Sequence, residues 1–84
     1  MQVDGAIIKE YGVTFSIILV NSRVLRNMQE CDEIRREAQS VFPSPIILMA
    51  QDSRGTPTYQ GCRDIIDFLS AIRPSRIVWK QYTI

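Results

Sequence analysis

The stretch Val13-Thr14-Phe15-Ser16-Ile17-Ile18-Leu19-Val20 decides how this 84-residue chain folds. In its first half apolar residues alternate with Thr14 and Ser16, the period of a strand with one dry and one wet face. From Ile17 onward both registers are apolar, which predicts burial on both faces and therefore a central strand. Ile46 to Ala50 is a second run of this kind, short and wholly apolar.

Towards the N-terminus, Ala6 to Lys9 is a further strand, and Glu10-Tyr11-Gly12 between it and Val13 predicts a β-hairpin. Towards the C-terminus, Val24, Met28, Cys31, Ile34, Ala38 and Val41 fall at gaps of 4, 3, 3, 4 and 3. That is the spacing of one helical face. Two start signals compete: Ser22 capping a helix from Arg23, and Asn27 with Glu30 as a capping box opening at Met28. The later start is preferred. Asp32 and Glu33 neighbour Arg36 on the opposite face, and Phe42-Pro43-Ser44-Pro45 ends the helix.

Asp52-Ser53-Arg54-Gly55 has the composition of a tight turn, so Thr56 to Gln60 returns antiparallel, with Pro57 confining it to an edge. A second helix is expected over Cys62 to Ile72, its stripe made by Cys62, Ile65, Leu69 and Ile72, with Arg73-Pro74 as its stop. Arg76 to Ile84 reads as the last strand.

The fold class that follows is α+β, a two-layer α/β sandwich of order ββαββαβ. The second and third strands are joined by a right-handed parallel crossover. Setting the last strand beside the first and parallel to it gives a mixed five-stranded sheet, spatial order 5-1-2-3-4, with two helices packed on one face. The reverse face would then be apolar and bare, which predicts a homodimer closing over it.

Composition narrows the function. One domain, residues 1–84, is all that this length supports. Ten basic and nine acidic side chains leave a charge of +1, too weak a field to draw nucleic acid or an anionic membrane without a local patch. Histidine is absent, excluding Ser-His and Cys-His triads and His-containing zinc sites. No metal or cofactor is expected. Cys31 and Cys62 stand alone, with neither a redox pair nor a zinc knuckle, and no signal-peptide or membrane-spanning pattern is present. A reduced, cytoplasmic protein is the expectation.

Two constellations remain. Asp52 and Arg54 on the turn, with Tyr59, Arg63 and Asp64 after it, form a candidate site for a partner or a small anionic ligand; ordinary turn chemistry and a surface ion pair account for the same residues. Arg73, Arg76 and Lys80 beside Trp79 and Tyr82 suggest a stacking surface for single-stranded nucleic acid, or a charged edge strand that deters aggregation. Cys62, beside Arg63 at a helix start, is a candidate reactive thiol; a small apolar residue opening a buried stripe fits the position too.

Gly55-Thr56-Pro57-Thr58-Tyr59 followed by Gly61-Cys62-Arg63-Asp64-Ile65 resembles, over about ten residues, the proline loop, hairpin and last helix of thioredoxin-like and glutaredoxin-like proteins. The resemblance implies that Pro57 corresponds to that family's cis-proline. Where the family carries its Cys-x-x-Cys, this chain has Asn21-Ser22-Arg23-Val24, so the redox activity is not implied with it. Three classes of function are therefore expected, in this order: a small interaction or regulatory module that self-associates through its sheet, a binder of nucleic acid or a small anion, and an enzyme.

Overall fold

The computed structural model describes residues 1–10, 12–72 and 76–84. Strands β1 (Gln2–Glu10) and β2 (Val13–Leu19) form the expected hairpin, in register from Asp4 opposite Leu19 to Glu10 opposite Val13. Gly12, at φ +76°, takes the left-handed position that the two-residue turn requires. Tyr11 lies outside the described residues.

The chain starts a helix near both signals, but Ser22 is not a cap: it is the first residue of a separate short helix, and the preceding asparagine takes the capping place. Asn21 caps α1 (Ser22–Leu25), its side chain accepting the Arg23 N–H at 3.0 Å, and Asn27 caps α2 (Met28–Ala38), accepting the Glu30 N–H at 3.2 Å. Cys31 Sγ donates to the Val24 carbonyl at 3.2 Å and ties the two together. Burial pushes the Cys31 thiol pKa up, in keeping with a core thiol that stays neutral.

After the proline loop, β3 (Ile46–Gln51) runs parallel to β2, as expected for strands joined through a helical connection, and β4 (Pro57–Gln60) returns antiparallel. Then come α3 (Arg63–Leu69) and β5 (Lys80–Thr83), and the sheet order is β4-β3-β2-β1-β5, the predicted one. Ser16, wholly buried, anchors the proline loop: its Oγ donates to the Pro43 carbonyl at 2.8 Å and its N–H to that of Pro45 at 3.0 Å. The cis peptide bond is Ser44–Pro45, so Pro57 does not take the role that the thioredoxin-like resemblance implies. Among the described residues, no helix is long and apolar enough to cross a membrane.

Two expectations are corrected. β5 runs antiparallel to β1, and the helices do not share a face. Val3, Ile18, Ile46 and Leu48 meet Cys31, Ala38 and Phe42 on the α2 side. Ala6, Phe15, Ile17, Ile47 and Met49 meet Leu69, Phe68 and Ile65 on the other, where Phe15 and Phe68 stand edge to face with centroids 6.1 Å apart. The handedness rule binds only connections between parallel strands. With β5 reversed, the link through α3 is free to take the opposite flank. That is how β2 and β3, apolar in both registers, are buried on both faces inside one chain. The bare face that called for a homodimer does not exist.

The last two elements are also shorter than expected. Of the predicted helix stripe, Cys62 is an exposed cap and Ile72 packs from beyond the helix end. Strand pairing begins only at Lys80, and the predicted stop at Arg73-Pro74 lies outside the described residues.

Candidate functional site

The residues singled out from sequence do not converge. Asp52 builds its own turn: Oδ1 accepts the N–H groups of Arg54 at 2.8 Å and Thr56 at 2.9 Å, while Gly55, at φ +80°, closes onto the Asp52 carbonyl at 3.0 Å. Arg54 is exposed at that tip. β4 leads away from it, so Arg63 and Asp64, exposed at the start of α3, sit at the other end of that strand. Tyr59 lies half-buried in the α3-side core, its hydroxyl enclosed without a hydrogen-bond partner and its pKa pushed up by burial.

Trp79 enters the same core from beside β5, the far edge, with three strands between β4 and β5; four strand spacings of about 4.8 Å make about 19 Å. Tyr82 joins the α2-side core, edge-on to Phe42 at 4.6 Å. The two C-terminal aromatics thus serve opposite faces and form no common stacking surface beside the exposed Arg76 and Lys80. Arg73, the third member of that stripe, lies outside the described residues. Cys62 is exposed at the head of α3 and makes no capping hydrogen bond, so it does not open a buried stripe.

A different feature emerges along β1. β5 pairs with it only from Gln2 to Gly5, whereas β1 continues to Glu10. Which backbone groups this leaves free follows from the ladder. Met1 and Ile84 exchange both bonds, the N-terminal ammonium donating to the Ile84 carbonyl at 3.0 Å and the Ile84 N–H to that of Met1 at 2.8 Å. In an antiparallel ladder every second residue turns both groups to the same neighbour. Val3 and Gly5 therefore face β5, and Ile7 and Lys9 face the same way, past the point where β5 begins. The hairpin end agrees, since Glu10 opposite Val13 closes a two-residue loop and assigns Ala6, Ile8 and Glu10 to β2. Among the described residues, no backbone bond reaches the N–H and C=O groups of Ile7 and Lys9 on that side.

The chain ahead of β5 leaves this edge because its side chains are needed elsewhere. Ile77, 8% exposed, and Trp79 turn into the α3-side core, while Val78 is 74% exposed. Between this segment and β1 lies a cleft of about 640 Å³, lined by residues 6–10, Ile72, Arg76, Ile77 and Val78. That volume falls within the usual range of about 300–1,000 Å³ for a small-ligand pocket. Among the described residues, the cleft combines four ladder groups that none of them pairs, aliphatic walls, two cations at Lys9 and Arg76, and one anion at Glu10: the materials of recognition, with no nucleophile or metal-ligand cluster among the described lining. No family model, no curated protein and no solved structure matches this chain.

Sequence reading missed the cleft because no residue in it is unusual. The signal lies in strand register: a nine-residue β1 faces a four-residue β5.

Proposed function

We propose that this protein is a small interaction module that takes an extended segment of another polypeptide onto the open half of β1. The observation that carries this reading is the edge at Ile7 and Lys9, which no described residue pairs, because unpaired strand amides and carbonyls are the groups that strand addition uses for affinity. The free sides of β4 and β5 are blunted by other means, β4 by its four-residue length and Pro57, β5 by its four-residue length and Lys80. The open stretch of β1, Ala6 to Glu10, spans about 17 Å at about 3.4 Å per residue and lies in a recess. A recess of that length admits one strand. A standard interface between folded partners buries about 800 Å² per side, more than a five-residue edge offers, which favours a peptide over a second copy. Two unpaired cysteines suit a reducing compartment, and a cytoplasmic setting is part of the proposal.

The test is an amide-resolved NMR titration with the capped peptide Ac-Thr-Val-Thr-Val-Thr-NH2, with sedimentation run alongside. Strand addition predicts the largest shifts, and new protection from exchange, at Ile7 and Lys9. Shifts confined to β4 or β5, or a dimer that forms without peptide and buries the same amides, would overturn it.

A further inference from the structure

We infer that the segment received by this edge carries one carboxylate, at the position opposite Lys9, followed by two apolar residues. The inference rests on the strand-addition reading and adds the chemistry of the guest. A guest antiparallel to β1 runs in the direction β5 already has, and residues directly opposite one another share a face of the sheet.

The alternation of β1 then assigns each position. Lys9 falls in the same register as Gly5, whose missing side chain would point at Phe42, so Lys9 stands on the α2 side. Ala6, packed in the α3-side core, sets the register of Ile8 and Glu10, on the opposite side. Past the position opposite Glu10 at its N-terminal end, the guest meets Lys9, then Ile8 with Ile72 and Ile77 close by, then Ile7, itself 40% exposed, with Val78. The chemistry that fits these in turn is a carboxylate, an aliphatic residue and a second aliphatic residue, as in Glu-Val-Ile. Arg76, lining the same cleft, adds a second cation. Glu10 opposes an acidic residue on the α3 side, so two adjacent carboxylates are disfavoured.

The experiment compares Ac-Thr-Glu-Val-Ile-Thr-NH2 with the two peptides in which Gln or Lys replaces its Glu, binding being read from the Ile7 and Lys9 amide shifts. A cross-strand pair of opposite charge predicts binding about two- to fivefold tighter for the Glu peptide than for the Gln peptide, and weaker binding again for the Lys peptide. The margin narrows in 1 M NaCl. Lys9→Glu, an exposed change whose fold is checked by Trp79 fluorescence, inverts the order. Lys9→Gln abolishes most of the preference. Equal binding of all three peptides, with Ile7 and Lys9 still shifting, would overturn the carboxylate inference and leave strand addition standing; no binding by any of them would overturn both.

Discussion

Gly5→Ala probes the packing of α2's flank against the sheet. A methyl at this position would lie 2.6 Å from both Cε1 and Cζ of Phe42 and 3.2 Å from the Ile17 carbonyl oxygen. Relaxed carbon contacts need about 3.5–4.0 Å, so the ring must retreat by about 1 Å. It has little room. Phe42 is 2% exposed, and its ring meets that of Tyr82 at 4.6 Å. Overpacking of this kind costs about 1–3 kcal/mol, and replacing glycine returns about 0.4–1 kcal/mol by restricting the unfolded chain. The net is a loss of about 1–2 kcal/mol. For a domain of this size, at about 4–8 °C per kcal/mol, Tm falls by about 5–15 °C. Urea unfolding followed by Trp79 fluorescence measures the change directly, with an unaltered denaturant slope showing that both end states are preserved. Phe42→Leu supplies the second arm: it costs stability alone but relieves the clash, giving a favourable coupling of about 1 kcal/mol in the double variant. A Gly5→Ala protein within about 0.3 kcal/mol of the parent, or strictly additive behaviour with Phe42→Leu, would refute the reasoning, since both lie inside the error expected for independent sites.

Arg35 donates from Nε to the Ile46 carbonyl at 2.9 Å, and from Nη2 to the Gln60 carbonyl at 2.7 Å and to Gln60 Oε1. It thereby clasps α2 to the start of β3 and the end of β4. Arg35→Met keeps the apolar stem but leaves the Ile46 carbonyl unpaired and the Gln60 carbonyl with only its ladder bond to Leu48, a loss of about 1–3 kcal/mol in the same urea assay. Asp52→Ala removes the acceptor of two turn amides and costs about 1 kcal/mol while peptide binding at β1 is unchanged, which separates the hairpin tip from the proposed site. Cys31 gives a pH signature: burial raises its pKa in the native state, so its contribution is complete below the unfolded thiol pKa and is lost as pH rises past about 9. Stability measured from pH 7 to 11 declines on that alkaline arm, and Cys31→Ala, though less stable overall, declines less steeply. A thiol reagent at neutral pH labels the exposed Cys62 at once and Cys31 only on unfolding.

Much of the fold was legible from local chemistry. The hairpin, the Asn27 cap, the proline break and the Asp52–Gly55 turn are all written in a few adjacent residues, and the parallel pairing of β2 with β3 follows from the long helical connection between them. The placement of α3 was not legible in that way. Its stripe fits either flank, and only the direction of β5, set by pairings with residues some eighty positions away, decides between them. The doubly apolar runs of β2 and β3 did hold the answer, since two dry faces need two covers, and the chain supplies both, from α2 and from α3. The candidate residues are dispersed for a related reason. Asp52, Arg54, Tyr59, Arg63, Asp64 and Trp79 are near in sequence or alike in chemistry, but the sheet deals them to opposite ends and edges. The open edge, by contrast, is a mismatch of strand lengths, which composition and motif do not record.

Backbone amide exchange along β1 of the free protein tests this account most directly. If the odd-numbered residues past Gly5 face an empty edge, protection alternates: Ala6 and Ile8, bonded to β2, exchange slowly, while Ile7 and Lys9 exchange at rates close to those of an unfolded chain. Uniform protection from Ala6 to Lys9 would mean that this edge is already paired, and the recognition site proposed for it would be contradicted.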